Sequence, residues 1–364
     1  MNITKQERNG VPYICISDPE KHYTQEYFTH NNWLDEDTLI IGEMDQLDRT
    51  ENGRILRLFL VNLVEGTKKL VVEKTSTAIL VYGRTLYHAP EKTLYAVNLD
   101  TLESEEIYTF EKKVVLPHIT NDGRYMSFEY HQNGCDGGYV LDLKERKLVD
   151  SFTHPFHQPF PMADHVMICP TDHTKVFFAH EGDTRYISNR LWLHEKGKGE
   201  RCIAKQRLDE DGNLGDCFGH ECWAPDGKGL WFVKYRESTL LPIGLSYVDM
   251  EGNQKNAVYG KYPYWHVGCS ADGRYLGADA IAKKYDGPRI ADLTDEEMER
   301  IIECDCCVVD LATGEERSVI KVLSNSVHPC HPHPAFSPNS KWLAFHDFVD
   351  GQVTVGFVNL EDVL

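Results

Sequence analysis

The sequence predicts an all-β fold, a seven-bladed β-propeller of four-stranded antiparallel blades. The first observation is a repeated motif: an apolar or aromatic approach, a turn of the Asp-Gly type, and a short strand of alternating large residues. Asp-Gly between alternating runs is the strongest short-range signal of a β-hairpin. The clearest copies are PHITNDGRYMSFEY (117–130), CPTDHTKVFFAHE (169–181), CWAPDGKGLWFVKY (222–235), CSADGRYLGADA (269–280) and FSPNSKWLAFHDF (336–348).

The second observation is a further strand that follows the motif and ends in a polar turn. Its examples are YVLDLKERK (139–147), LSYVDMEGN (245–253), CVVDLATGE (307–315) and VGFVNLED (355–362). The third is spacing, since two weaker copies, YFTHNNWLDEDTLIIGEMD and LYHAPEKTLYAVNLDTLES, bring the total to about seven units of roughly 40–50 residues, the period of propeller blades. This regular period favours one propeller domain over residues 1–364; the alternative is a multidomain β-sandwich.

Two segments lie outside the repeat. The strand GVPYICISD (10–18) is expected to pair with the last blade and close the ring. The longest interruption is 281–303, where LTDEEMERII places Thr294 three residues before Glu297, a capping-box pattern. We therefore predict a short inserted helix near 292–303.

Composition excludes several classes of function. Hydrophobic residues make up 41% and charged residues 26% of the 364 residues, the balance of a soluble globular protein. The polar start MNITKQERNG lacks a signal segment, no apolar run nears the roughly 20 residues of a membrane span, and the 11 cysteines lack disulfide spacing. We therefore expect a cytoplasmic protein without a membrane partner. The net charge of −19 argues against nucleic acid, and an anionic substrate would need a locally positive site.

Histidine recurs at one point of the repeat, near the start of the strand before the turn. Three copies lie six residues before the turn, and two lie five before a proline: His165 (Pro170), His220 (Pro225, Asp226), His266 (Asp272) and His333 (Asn339). In a propeller this strand is the innermost one. We therefore expect these histidines to converge on the central channel.

The stretch VHPCHPHPAFSP (327–338) adds more imidazoles. Because proline forces extended backbone on itself and on the residue before it, His331 and His333 should face the same way. With His328 and His266 they predict a site for a divalent first-row metal such as Zn, Fe, Ni, Cu or Mn. The alternative is that the channel histidines are structural or bind water.

The run Cys304-Asp305-Cys306-Cys307 could suggest a second metal or redox site. Neighbouring cysteines on a strand point to opposite faces, however, and no second C-x-x-C occurs. We interpret these cysteines as packing residues.

A metal ion beside a free histidine has a defined chemical use. His220 and His165 lie outside the predicted metal set, so His220 can act as a general base while the metal polarises a carboxylate. Together they can remove the proton α to a carboxylate, and in a sugar acid the β-oxygen substituent then leaves by β-elimination.

Four stretches resemble the oligogalacturonate lyases, a family of seven-bladed propeller lyases that degrade pectin fragments. GHECWAPDGKGLWFVKY, YWHVGCSADGRYLGADA and HPHPAFSPNSKWLAFHDF are similar to that family's blades, and FFAHEGDTRYISNRLWLHE is similar to its F-x-H-E-G…A-R-M-W segment. The resemblance extends over roughly residues 117 to 360. It implies cleavage of short oligogalacturonides such as digalacturonate or unsaturated digalacturonate.

The resemblance also implies roles for single residues. In the family a manganese ion is held by a blade histidine, a glutamine and the two histidines of H-P-H-P; here these are His266, His331 and His333, with His328 in place of the glutamine. That replacement makes Fe, Ni or Zn possible beside Mn. The remaining implied roles are those of the base, His220, and of the arginine that binds the substrate carboxylate, Arg190.

Other assignments stay open. His165 is expected to contact substrate because of its register, and the stretch around 207–219, longer than in the family, is expected to reshape the cleft. The competing functions are a lyase, isomerase or hydrolase acting on a different uronide, and a non-catalytic metal-containing propeller that binds a sugar or protein. We expect a small acidic oligosaccharide as partner and a monomer or small homo-oligomer.

Overall fold

The computed structural model describes residues 1–25, 27, 29–47, 54–131, 136–259, 263–281, 302–325 and 329–364. Its strands form seven antiparallel sheets, the blades of a seven-bladed β-propeller. Six of these sheets have four consecutive strands each, as the sequence predicts.

The strands are numbered in chain order. Strands β1 (Asn2–Arg8) and β2 (Val11–Ser17) belong to the seventh blade. Blades one to three contain β3 (His22–Thr24), β4 (Thr38–Met44), β5 (Leu56–Asn62), β6 (Thr67–Thr75), β7 (Ile79–Tyr82), β8 (Thr85–His88), β9 (Thr93–Asn98), β10 (Ser104–Thr109), β11 (Val115–Ile119), β12 (Tyr125–Tyr130), β13 (Gly137–Asp142) and β14 (Lys147–Thr153).

Blades four to six contain β15 (Met162–Cys169), β16 (Asp172–Glu181), β17 (Leu191–Glu195), β18 (Gly199–Ala204), β19 (Phe218–Trp223), β20 (Gly229–Lys234), β21 (Gly244–Asp249), β22 (Gln254–Tyr259), β23 (Tyr264–Cys269), β24 (Tyr275–Ile281), β25 (Ile302–Asp310) and β26 (Glu315–Ser324). Blade seven adds β27 (Ala335–Phe336), β28 (Trp342–Val349) and β29 (Gln352–Asn359), and a 3-10 turn follows at Leu360–Asp362. The first strands of neighbouring blades, β11, β15, β19, β23 and β27, contact one another around the channel.

The N-terminal strands close the ring. Strand β2 pairs with β29, with Ile14 opposite Phe357 and Ile16 opposite Val355, so the predicted closure by GVPYICISD is confirmed. The seventh blade has five strands rather than four because β1 folds back on β2. Asn9-Gly10 makes this hairpin possible, since both residues have positive φ (54° and 83°), as a two-residue hairpin turn requires.

Apolar side chains fill the space between neighbouring blades. Between blades four and five, Phe177 lies in one buried cluster with Phe218 and Phe232. Burying a phenylalanine side chain contributes about 1.5–3 kcal/mol. This packing holds the blades against each other, and it thereby fixes the inner strands that carry the channel histidines.

The cysteines of β25 pack as predicted. Cys304 and Cys306 lie in the buried cluster shared with blade seven, and Cys307 lies in the cluster on the opposite face of the sheet. All three are free thiols. Burial raises the pKa of Cys304 and Cys306 well above the usual range, which keeps these thiols protonated.

The inserted helix predicted near 292–303 falls on residues 292–301, which lie outside the described part of the chain. Its last two positions, 302 and 303, begin strand β25 instead. Among the described residues, no helix is long and apolar enough to span a membrane.

Candidate active site

For three of the four register histidines, all but His266, the register corresponds to a backbone feature. The pairing of the innermost strand shifts between Asp164 and Met167 in blade four and between Gly219 and Cys222 in blade five. His165 and His220 lie at these bulges with φ of 56° and 51°, and His333, just before β27, has a φ of 45°.

A β-bulge changes the direction in which a side chain points, and histidine tolerates positive φ better than most residues. Such backbone costs on the order of 1–3 kcal/mol per residue and concentrates at functional sites. The same conformation occurs in blade three at Leu116, six residues before Asp122. The repeat therefore supplies the bulge, and the sequence of each blade decides whether it carries a histidine.

Three of the predicted metal ligands form one buried cluster. His266, His331 and His333 each offer a ring nitrogen, and these atoms all lie within 4.8 Å of one another. The Nε2 atoms of His266 and His333 are 3.1 Å apart. Trp265 packs against His331 with 4.0 Å between ring centroids, covering one side of the cluster.

Asp279 holds two residues of this cluster, His266 and His333, in position. Its carboxylate lies 2.7 Å from Nδ1 of His266 and accepts the backbone N–H of His266 at 2.7 Å. It also accepts the backbone N–H of His333 at 3.4 Å. A carboxylate partner on Nδ1 places the proton there and leaves the Nε2 lone pair facing the cluster, the arrangement that orients metal-bound histidines.

The cluster fits a divalent metal ion by its chemistry. Convergent neutral imidazoles suit first-row metals, and the buried carboxylate behind one ligand strengthens that ligand as a donor. His328, the fourth predicted ligand, lies outside the described residues. The described residues therefore bring together three of the four predicted ligands.

His220 lies directly beside this cluster. Its ring centroid is 4.1 Å from that of His266, and its Nδ1 is 3.4 Å from the hydroxyl of Tyr27. Burial lowers the pKa of His220 well below the usual range, and the nearby positive charges of His165 and Arg190 lower it further. The imidazole is therefore neutral near pH 7, the form that accepts a proton.

Arg190 is buried and held by two carboxylates. Its Nε donates to Glu221 at 2.6 Å, and a terminal nitrogen pairs with Glu181 at 2.8 Å. Burial opposes the charged form, but these two carboxylates outweigh it and raise the pKa of Arg190 well above its usual range. The guanidinium thus lies in the site with a fixed orientation.

His165 shares one of those carboxylates. Its Nδ1 is 3.1 Å from Glu221, and its ring centroid is 6.3 Å from that of His220. Burial lowers the pKa of His165, but the hydrogen bond to Glu221 and the charges of Asp164 and Glu181 outweigh it and raise the pKa to about 10. His165 is therefore cationic at neutral pH, unlike His220.

Several residues of the site were not predicted from the sequence. Asp279 carried a usable signal, because an acidic residue inside the apolar run LGADA requires a buried partner. Glu181 and Glu221 occur in the quoted H-E pairs, but only the fold shows that both hold Arg190 and that Glu221 also holds His165. Tyr27 gave no signal, since it lies in a weak copy of the repeat and reaches the channel from the connection between β3 and β4.

A cavity of about 280 Å³ lies next to these groups. Trp265 and Tyr235 line it, and they also contact the site: Trp265 packs on His331, and the ring of Tyr235 is 5.9 Å from that of His220. Arg185 and Arg236 also line the cavity. The opening beside the histidines therefore has aromatic walls and two arginines, each of which is paired with a carboxylate that also lines the cavity, Arg185 with Asp183 and Arg236 with Glu237.

The segment predicted to reshape the cleft braces the walls of this cavity. The backbone of Gly215 accepts the N–H of Leu240 at 3.0 Å, and that of Cys217 accepts the N–H of Tyr235 at 2.8 Å. Just before the segment, Gln206 donates to the carbonyl of Thr184 at 3.3 Å. Since Tyr235 and Thr184 line the cavity, the segment contacts one of its walls through Cys217, and Gln206 just before it contacts another.

Comparisons with known sequences agree with the resemblance. A family model described as oligogalacturonate lyase matches residues 124–364. An oligogalacturonide lyase of Pectobacterium atrosepticum is 29% identical over 312 residues, which span 82% of this chain and 74% of the relative. An oligogalacturonate lyase of Dickeya dadantii is 26% identical over 209 residues, which span 54% of this chain and 50% of the relative.

Solved structures share the fold. An oligogalacturonate lyase in complex with manganese superposes with a TM-score of 0.76 at 18% identity, covering 99% of this chain and 96% of the other. An oligogalacturonate lyase of Vibrio parahaemolyticus superposes with a TM-score of 0.73 at 17% identity, covering 99% and 97%. The family model matches well over half of the sequence, and the chain therefore belongs to the oligogalacturonate lyase family, a family of lyases.

Proposed function

We propose that this protein is a metal-dependent lyase that cleaves short oligogalacturonides, digalacturonate or unsaturated digalacturonate, by β-elimination. One observation carries the proposal: a neutral imidazole, His220, lies beside a cluster of three convergent histidines at the edge of a cavity. The ring centroids of His220 and His266 are 4.1 Å apart. Membership of a lyase family is consistent with it.

The base is His220. Its low pKa keeps the ring neutral, so that it can take the C5 proton of the uronate, which is α to the carboxylate. Removal of this proton forms the C4–C5 double bond as the bond from C4 to the glycosidic oxygen breaks. The product is an unsaturated uronate.

The carboxylate of the substrate needs positive charge, because negative charge grows on it as the C5 proton leaves. A divalent ion held by His266, His331 and His333 would polarise that carboxylate as a Lewis acid. Arg190, fixed in the site by its two glutamates, is proposed to hold the same carboxylate, since a guanidinium presents planar, paired donors. His165 is proposed to contact the substrate from the neighbouring blade.

The local charge supports an anionic substrate despite the net charge of −19. The cationic Arg190 and His165 balance the anionic Glu181 and Glu221 that hold them. A divalent ion held by the three histidines would add two positive charges to this site, beside Asp279. A positive site with low-dielectric walls concentrates an anionic ligand.

Manganese is the ion we propose, because an oligogalacturonate lyase of the same fold was solved with manganese. An all-nitrogen donor set that includes His328 would also accept Fe, Ni or Zn.

The test is product identification. Metal-free protein is incubated with saturated and with unsaturated digalacturonate, with each metal added in turn, and the double-bond absorbance and product mass are followed. The substitution His173→Ala supplies a matched control. His173 lies away from the site, where it stacks on Tyr125 with 3.9 Å between ring centroids. We expect an unsaturated monouronate only with metal, in wild type and in this control. Turnover of another uronide but not of digalacturonate would refute digalacturonate as the substrate. A product without a double bond would refute β-elimination as the reaction.

A further inference from the structure

Tyr27 lies between two channel histidines, His220 and His165. Its hydroxyl oxygen is 3.4 Å from Nδ1 of His220 and 3.5 Å from Nε2 of His165. Its ring packs edge-on against His333 with 5.2 Å between centroids. The side chain is only partly buried, so part of it is accessible beside these histidines. Distances of this length are common for catalytic hydrogen bonds before substrate binds.

The hydrogen-bonding capacity of these groups determines where the Tyr27 proton points. For His220 to accept a proton at Nε2, its own proton must reside on Nδ1, which faces the Tyr27 oxygen. His165 bonds Glu221 through Nδ1, and as an imidazolium it also carries a proton on Nε2, which faces the same oxygen.

The phenol oxygen therefore meets two N–H groups. A phenol oxygen has two lone pairs, so it can accept both, and its own O–H must then be directed to a third partner. The two donors also stabilise the phenolate that forms when that proton is transferred.

From this geometry we infer that Tyr27 is the catalytic acid of the elimination and protonates the leaving sugar oxygen. The inference rests on the proposed function. His220 takes the C5 proton, the C5–H electron pair becomes the C4–C5 double bond, and the C4–O bond breaks with its pair on oxygen. That oxygen takes the proton of Tyr27, and the phenolate takes the Nε2 proton of His165. After product leaves, His220 returns its proton to solvent and His165 regains one.

The leaving group makes this acid necessary. A sugar hydroxyl is a weak acid, so its oxygen leaves slowly as an alkoxide, and a positioned acid contributes on the order of 10²–10⁴-fold. A nitrophenolate leaves without a proton. The inference therefore predicts that the importance of Tyr27 depends on the leaving group.

The test compares the substitution Tyr27→Phe with wild type on two substrates, in the full chain with manganese added. One substrate is digalacturonate; the other is a galacturonate with a 4-nitrophenyl ether at O4. We expect kcat on digalacturonate to fall on the order of 10²-fold or more and kcat on the nitrophenyl ether to fall less than about 10-fold. Tyr247→Phe, a partly buried tyrosine packed on Trp231 in blade five, should match wild type on both.

Two further measurements separate the acid from a structural role. Exchange of the C5 proton with D₂O reports on His220, and Tyr27→Phe should retain this exchange while its cleavage of digalacturonate is slowed. His165→Gln, which cannot pass on a proton, should show the same dependence on the leaving group.

If kcat of Tyr27→Phe fell equally on both substrates, or did not fall at all, the assignment of Tyr27 would be overturned, while the lyase activity of wild type would stand. Absence of turnover in wild type on every uronide would refute the proposed function and this inference with it. If Tyr27→Phe does not fold, His165→Gln decides the question. An equal fall in its kcat on both substrates would also overturn the assignment of Tyr27.

Discussion

The substitution Asp279→Asn removes one negative charge beside the histidine cluster and keeps the size of the side chain. The carboxylate now holds Nδ1 of His266 at 2.7 Å and accepts two backbone N–H groups, those of His266 and His333. An asparagine offers only one oxygen to these three donors and turns its NH₂ group towards at least one of them. His266 thereby loses part of what fixes its tautomer and its direction.

The expected effect is weaker metal binding rather than its loss. Removing the carboxylate partner of a metal-bound histidine typically lowers metal affinity about 10- to 100-fold. That corresponds to about 1.4–2.8 kcal/mol of binding free energy. The three imidazoles remain in place, so the substituted protein should still bind the ion.

Calorimetric titration of metal-free protein with Mn²⁺ at a single pH measures this difference directly. Asp305→Asn is the matched control, because Asp305 is a buried carboxylate of the neighbouring strand β25 that accepts the hydroxyl of Ser318 at 2.6 Å. We expect the control to bind as wild type does. Equal affinity of Asp279→Asn and wild type, with both folded by circular dichroism, would refute the role given to Asp279.

Three other predictions concern the arginine, a buried histidine and the ring closure. Arg190→Lys keeps the charge but cannot hold Glu181 and Glu221 with one planar fork, so steady-state kinetics should show kcat/KM on digalacturonate reduced on the order of 10²-fold; an unchanged value would contradict it. Burial lowers the pKa of His88 to about 4, so the unfolded chain binds the extra proton as pH falls from 6.5 to 4 and stability should decrease by up to about 3 kcal/mol from this residue. Urea unfolding measured across that pH range should show that the unfolding free energy of His88→Gln depends less steeply on pH than that of wild type. An identical pH dependence would exclude His88 as the source. Ile16→Asn places a polar group in the fully buried closing strand and should lower the unfolding free energy by about 2–4 kcal/mol, measured in the same way; unchanged stability would mean that β2 contributes little to closure.

The sequence predicted the blades well because each copy of the repeat is local. The Asp-Gly turn and the alternating strand after it are encoded within about a dozen residues, and the closing strand GVPYICISD carries the same alternation. The extra strand β1 was missed even though Asn9-Gly10 marks its hairpin, because residues 2–8 are polar and alternate weakly.

The histidine register was predictable for the same reason, since a fixed offset from the turn becomes a fixed position in the ring. The side chains that act on those histidines were not predictable in this way. Tyr27 is 138 residues from His165 and meets it only in the folded propeller. Glu221 also joins residues of two blades, His165 and Arg190 in blade four and its own strand in blade five, and no local pattern encodes such a contact.

The most direct test of the account separates the metal cluster from the base. Protein purified without added metal is loaded with one equivalent of Mn²⁺ and desalted, and the metal per chain is measured beside turnover of digalacturonate for wild type, His220→Ala and His333→Ala. The account predicts about one ion per chain in wild type and in His220→Ala, little in His333→Ala, and turnover in wild type alone. Loss of the ion from His220→Ala would make His220 a ligand, and full occupancy in His333→Ala would contradict the three-histidine metal site.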